Sequence, residues 1–290
     1  MRLTVFDIGG SSVKHALWAE DHIELQNSFT TPETWEEMKE EMLRIEKSHK
    51  SLGSLHGIAM SCPGAVNAQT GVIGGLSSVP YIHDFPIRKE LEELFSLPVS
   101  MENDANCAAL AELHQGAAKN ADHALFLVIG SGIGGTVIQS RKLHRGKDLF
   151  GGEFGYMMLD DTHTLSDLGS PVKAAERYRK EMKLDKADGT FLFSEADRGE
   201  PVAVKYVESL IDALARGIYN LSVAFNPDLV VIGGGISNRE DIVDRITLKV
   251  QLYLDRQGAG DLKVSIVPCA FRSEANLLGA VVNFTETENS

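Results

Sequence analysis

The sequence predicts an α/β protein built as two domains of related design. Three observations carry that expectation. An apolar run that stops at a glycine turn and resumes as a second run occurs at residues 2–18 and again at 124–138. Two such copies about 120 residues apart mark an internal duplication. Helical patterns follow each copy. Finally, 290 residues with 43% hydrophobic and 24% charged side chains have a globular balance, and at about 100–200 residues per domain two moderate domains fit. A disordered, collagen-like or polytopic membrane chain is excluded.

Taken in order, residues 2–8 form a β-rich run ending at Gly9-Gly10-Ser11-Ser12, and Val13–Trp18 returns as its hairpin partner. Thr31 is placed to cap a helix with Pro32 in its first turn and Trp35, Met38, Met42 and Ile45 on one face. The charge-rich stretch 33–50 reads as the solvated side of that helix. Leu55–Met60 is expected as a strand before the turn Cys62-Pro63-Gly64. Pro98–Met101 is a short strand running into Glu102–Asn106, and Ala105–Gln115 has helical composition. The second half repeats the order: strand Ala124–Ile129, turn Gly130–Gly135, strand Thr136–Ile138, a polar turn over Lys142–Gly146, helices, then strand Leu229–Ile232 ending at Gly233-Gly234-Gly235. The expected domains are 1–118 and 119–273, with the break near Gly116–Asp122. The last helix, roughly Glu274–Thr285, is able to pack on either half; the expectation joins the tail 274–290 to the first.

Lys+Arg total 28 against Asp+Glu 41, a formal net charge of −13. Such a surface repels phosphate backbones and anionic lipid, so neither nucleic acid nor membrane is an expected partner, whereas a nucleotide gripped locally by backbone amides is compatible. No cleavable apolar leader precedes Asp7, and the uncharged stretches at 57–83 and 124–140 are interrupted by Gly, Pro, Asn, Gln and Ser. Cys62, Cys107 and Cys269 are an odd, widely spaced set that supports neither a disulfide framework nor a zinc knuckle. A cytoplasmic protein with reduced thiols is expected. The nine His residues show no HxxxH or HExxH spacing, and none is assigned to a metal.

Five motifs point to chemistry. Asp7-Ile8-Gly9-Gly10-Ser11-Ser12 lets amides in a tight turn approach an anion, with Asp7 able to hold Mg²⁺ through water. A plain hairpin turn with a capping Asp has the same signature. Gly130-x-Gly132-x-x-Gly135 matches the dinucleotide fingerprint, with Asp148 at a tolerable distance, but that fingerprint must open a helix. Thr136–Gln139 is β-branched, so NAD is rejected and a phosphate-gripping hairpin is preferred. Glu102-Asn103-Asp104-Ala105-Asn106 combines carboxylates and carboxamides, which suits a polyhydroxylated ligand. Asp104 is able to deprotonate a hydroxyl there, and a simple helix cap is the alternative. Glu153, between the glycines of Gly151–Gly155, is either a second sugar ligand or one more surface carboxylate. Gly233–Gly235 either lets a purine or ribose lie on bare backbone or makes an ordinary turn.

Together the strings FDIGGSSVKHAL, SCPGAV, PVSMENDANCAALAE, FLVIGSGIGGTVI, GGEFGYM, PDLVVIGGGIS and ANLLGAV, in this order, resemble the ROK family of repressors, uncharacterised frames and sugar kinases. The resemblance implies an actin-like ATPase (ribonuclease H-like) fold with ATP and sugar in a cleft between two α/β domains. It also implies a homodimer. By the same resemblance Asp7, Gly9, Gly10, Ser11 and Lys14 serve the phosphates, with Asp7 on Mg²⁺. Gly130, Ser131, Gly132 and Gly134 grip the other side, and Gly233, Gly234 and Gly235 face the adenosine. Asn103, Asp104, Glu153, Tyr156 and Gly64 bind sugar, with Asp104 as catalytic base. The chain departs from the family pattern in carrying Tyr156 where most members have His, and no Cys between Cys107 and Cys269. No zinc is therefore expected, and the string GEFGYM looks like the branch of bacterial β-glucoside kinases. An anomeric side without the usual ligands is expected to admit a second sugar, so cellobiose or gentiobiose should outrank N-acetylmannosamine or fructose. The alternatives are a monosaccharide kinase (for N-acetylmannosamine, glucose or fructose), a silent sugar sensor and a ROK regulator. A regulator would carry a winged helix before the first strand, which here is expected from residue 3.

Overall fold

The computed structural model describes residues 1–271 and 274–288. The chain divides into two compact units. The first takes Met1–Gly116, Lys147–Leu149 and the C-terminal helix; the second takes Ala117–Gly146 and the chain from Phe150 to the loop before that helix.

In the first unit, β1 (Leu3–Ile8), β2 (Ser12–Ala19) and β3 (His22–Thr30) make an antiparallel meander, followed by α1 (Trp35–Lys50). Next come β4 (Gly57–Cys62), the small hairpin β5 (Ala65–Asn67) and β6 (Val72–Gly74), then α2 (Ile87–Phe95), β7 (Val99–Asn103) and α3 (Asp104–Gln115). The sheet order is β3-β2-β1-β4-β7, with β4 parallel to both β1 and β7. β1 and β4 are buried along their whole length because helices cover both faces of the sheet. Phe6 and Ile8 face Met38, Met42, Ile45 and Leu91 of α1 and α2. Leu3 and Val5 face the opposite layer of α3 and α9 (Ala275–Glu288), through Cys107, Leu277, Val281 and Phe284. α9 approaches α3 so closely that a Cβ on Gly279 would overlap the carbonyl of Cys107.

The second unit repeats the design: β8 (Ala124–Ile129), β9 (Ile133–Gln139), β10 (Lys142–Leu143), α4 (Leu165–Gly169), α5 (Pro171–Met182), α6 (Gly189–Asp197), α7 (Pro201–Phe225), β11 (Leu229–Gly233), α8 (Ile242–Arg256) and β12 (Ile266–Pro268). Its sheet order is β10-β9-β8-β11-β12, with the same antiparallel and parallel pairings. Both sheets are thus the five-stranded unit of the actin-like fold. The core of this unit gathers Leu127, Val137, Leu210, Leu214, Ile218 and Ile232. Among the described residues no helix is long and apolar enough to cross a membrane.

Three local expectations are corrected. The first helix opens at Trp35 behind Thr34, not at Thr31-Pro32. Thr34 forms a reciprocal capping box with Glu37, whereas three residues beyond Thr31 stands Thr34, which has no carboxylate to return the bond. Thr31 instead donates its hydroxyl to the Gly9 carbonyl at 2.6 Å. The strand expected from Thr136 begins at Ile133, so Gly134 and Gly135 belong to β9, opposite Val128 and Leu127. Gly135 is required there because the Phe154 ring occupies the place of a Cβ. Finally, the polar turn expected over Lys142–Gly146 starts with β10, paired to Gln139 and Ile138.

Candidate active site

In the first unit the chemistry collects where β1, β4 and β7 end. Asp7 is 7% exposed. Its Oδ1 accepts from Ser61 Oγ at 2.7 Å and from Asn276 Nδ2 at 3.0 Å, and its Oδ2 lies 3.7 Å from Lys14 Nζ. Register explains the group: Asp7 pairs with Lys14 across β2 and with Ser61 across β4. The carboxylate is clamped on one oxygen while the other faces a cation. Such a group fits a water-mediated Mg²⁺ contact, because Mg²⁺ keeps several waters and needs few protein oxygens. The adjoining turn is closed by Gly9 N–H to the Ser12 carbonyl at 3.1 Å, and a Cβ on Gly10 would overlap the Ser78 hydroxyl. Gly10 and Ser11 are exposed.

The strand-to-helix junction of β7 and α3 carries the second group. Asn103 is the N-cap of α3: its Oδ1 accepts from Asn106 N–H at 3.2 Å, while its Nδ2 donates to the Gly64 carbonyl at 2.9 Å. Gly64 has φ 96°, a conformation that favours glycine. Glu102 is buried, and its Oε1 accepts from Asn103 N–H and Asn106 Nδ2, both at 2.9 Å. The cap reading therefore belongs to Asn103, not Asp104. Asp104 occupies the first helical position, half-buried, and accepts the Ala105 N–H at 2.8 Å. Burial pushes its carboxyl above the usual range, aided by the negative charge of Asp7 and opposed by that amide bond. A partly buried carboxylate whose basicity is raised has the properties of a general base.

In the second unit, the turn at Gly130–Gly132 is shaped by Gly130 N–H to the Gly132 carbonyl at 2.9 Å. Ser170, N-cap of α5, directs its hydroxyl at the carbonyls of Gly130 and Ser131, at 2.8 and 3.0 Å, and Ser166 Oγ accepts the Ile133 N–H at 2.9 Å. Beside the turn lies a cavity of about 490 Å³ whose lining includes Gly130, Ser131, Pro171, Thr190, Gly235 and Arg239. Arg239 stacks 4.6 Å over the Phe193 ring and is held by Asp197 and Asp241, so that wall is fixed. Gly234 has φ 83°, and a Cβ on it would strike the Ile129 carbonyl, whereas Gly235 faces open space. The cavity has the size and the mixed apolar and backbone lining of a small-molecule site. Of the residues expected for ATP, Gly130, Ser131 and Gly235 line it; Gly132, Gly134, Gly233 and Gly234 shape the backbone behind. Glu153 and Tyr156 lie on a separate turn, Glu153 partly buried and Tyr156 66% exposed.

Sequence reasoning did not single out Ser61, Asn276, Ser170, Thr190 or Arg239. Asn276 is 269 positions from its partner Asp7; the string ANLLGAV was the one available signal. Among the described residues no three His, Cys, Asp or Glu side chains gather as a metal cluster.

With this geometry in view, comparison with known proteins is informative. The model of the ROK family matches residues 4–286. The chain is 31% identical to a beta-glucoside kinase of Klebsiella pneumoniae, over 100% of this chain and 98% of that one. It is 29% identical to a glucokinase of Thermotoga maritima, over 97% and 96%. A crystal structure of a ROK family protein from Streptococcus pneumoniae in complex with sucrose superposes with a TM-score of 0.91 at 35% identity, covering 100% and 99% of the two chains.

Proposed function

The chain belongs to the ROK family, and from that premise we propose that it is an ATP-dependent sugar kinase acting on a hexose or β-glucoside, with the 6-hydroxyl as acceptor. The observation that carries the reading is Asp104, a half-buried carboxylate opening α3 behind β7, in the same unit as Asp7, whose carboxylate is clamped by Ser61 and Asn276. In the reaction the sugar oxygen bonds to the γ-phosphorus, the bond to the β–γ bridging oxygen breaks and ADP leaves. The hydroxyl proton passes to Asp104. Phosphoryl transfer runs through a loose transition state, so catalysis rests on positioning and charge neutralisation more than on a strong base. Lys14 and the amides of Gly9–Ser11 suit the phosphates. Mg²⁺ held through water by Asp7 would supply charge neutralisation. The cavity beside Gly130 and Gly235 suits adenosine, and Asn103, Gly64, Glu153 and Tyr156 suit the sugar.

The β-glucoside preference is supported by the named activity of the Klebsiella relative. The glucokinase relative supports a second reading, a monosaccharide kinase of the same family. A cytoplasmic homodimer without zinc completes the proposal. The test is an ADP-release assay with MgATP over glucose, fructose, mannose, N-acetylmannosamine, cellobiose and gentiobiose. Sugar-dependent ADP release, highest with cellobiose or gentiobiose, is expected. Turnover of a monosaccharide alone selects the second reading, and no turnover with any sugar points to a sensor or regulator.

A further inference from the structure

We propose that Phe150 and Tyr156 form an aromatic platform for the aglycone ring of a disaccharide β-glucoside, and thereby set the preference for disaccharide over monosaccharide. This inference rests on the sugar-kinase reading above. In the second unit Phe126, Phe154, Tyr178 and Phe193 are buried, and Phe191 and Phe225 are 39% and 36% exposed. Phe150 and Tyr156 are 57% and 66% exposed, with ring centroids 5.2 Å apart and planes inclined at 53°. Met158, 56% exposed, follows two residues on. Single exposed apolar side chains are ordinary; here two rings in contact are exposed together, a small apolar patch.

The backbone keeps both rings outward. Gly151 N–H bonds the Arg145 carbonyl at 2.8 Å, Glu153 N–H bonds that of Phe150 at 3.3 Å, and Tyr156 N–H bonds that of Glu153 at 3.2 Å. Gly152 has φ 100°, and a Cβ there would collide with the Gly135 carbonyl. Midway along the segment, Phe154 packs into the core against Gly135 and ties the turn to β9. The rings are thus presented by a pinned turn, which lowers the ordering cost of binding a ligand.

The shape of the patch selects the occupant. A pyranose ring has a face of C–H groups and an edge of hydroxyls, so it stacks its face on an aromatic ring and leaves its edge in water. Glu153, the sugar ligand on this turn, is bonded through its own backbone to both Phe150 and Tyr156. The platform therefore adjoins Glu153, which the proposed function gives to the sugar. A stable protein partner would need an interface of about 1,200–2,000 Å² in total, whereas this patch is three side chains.

The test compares wild type with Phe150→Leu, Tyr156→Leu and Phe150→Tyr, measuring kcat/KM for cellobiose, gentiobiose and glucose. Stacking predicts that each Leu variant lowers the ratio of disaccharide to glucose kcat/KM about 3–10-fold; in Phe150→Leu the fall lies mainly in the disaccharide KM, in Tyr156→Leu the glucose KM rises as well but less, and Phe150→Tyr retains the ratio. An unchanged ratio in both Leu variants, or turnover of glucose with neither disaccharide in the wild type, overturns the platform and leaves the kinase reading standing. A change in sedimentation with an unchanged ratio assigns the rings to a second copy of the chain and also overturns it. Absence of turnover with every sugar overturns the kinase reading and the platform together.

Discussion

The two sheets place different chemistry on one frame. Asp7 is the penultimate residue of β1 and pairs with Lys14 on β2 and Ser61 on β4. The matching residue of β8 is Val128, which pairs with Gly134 on β9 and Gly233 on β11. One half thus carries a carboxylate, an amine and a hydroxyl at its strand ends; the other carries an apolar side chain between two glycines. On the proposed reading the charged half takes a cation and phosphate oxygens, whereas the bare half leaves room for the cavity near Gly130 and Gly235. Topology provides the position, and the residues placed there decide whether it holds charge or space.

Asp104, in the charged half, carries the largest expected effect. Asp104→Asn should lower kcat by about 10²–10⁴-fold, the usual worth of a general base, with sugar binding retained in calorimetry. In the wild type, the acid limb of kcat/KM should lie above the ordinary carboxylate range, in keeping with the raised pKa. Near-normal turnover in the variant would remove Asp104 from the mechanism. On the other half, the Cβ of Gly235→Leu would meet open space, and its side chain should occupy the cavity. Its KM for ATP should rise at least about tenfold while the KM for sugar stays put, as expected when a ligand's place is filled; an unchanged ATP KM would separate the cavity from the nucleotide. Asn276→Ala removes one of two hydrogen bonds to Asp7 Oδ1. A bond of this kind is worth about 1 kcal/mol, so kcat/KM for MgATP should fall about fivefold with a weakened Mg²⁺ response.

The smallest effect concerns stability in the first unit. His49 lies on the buried face of α1 in its last turn, its Nδ1 3.0 Å from Thr4 Oγ1, and burial with the neighbouring His15 holds its pKa down at about 4. The unfolded chain binds that proton near pH 6.5. The neutral ring's contribution is therefore complete above pH 6.5 and is lost as the pH falls from 6.5 towards 4. His49→Gln should flatten this window, reducing the fall in Tm between pH 7 and 4.5 by about 3–5 °C. Parallel melting curves for the two proteins would disprove the role of His49.

The duplicated plan was legible because its signals are local: apolar runs, glycine turns, and the spacing between copies. The sequence also marked Asp7, Asn103, Asp104 and the glycine strings, since turns and strand ends concentrate a few residue types for steric reasons. Element borders were less readable, because Thr31 and Thr34 are equally good caps until the return bond from Glu37 is considered. By itself, then, the sequence determined the α/β class, the two-fold repetition and the positions where the backbone must turn on glycine. Only the tertiary structure decided that Asn276 and Ser61 clamp Asp7, that Arg239 and Phe193 wall the cavity, and that Phe150 and Tyr156 stay outside while Phe154 goes in. Those outcomes depend on strand register, helix packing and burial between residues far apart in the chain, and no local spacing encodes them.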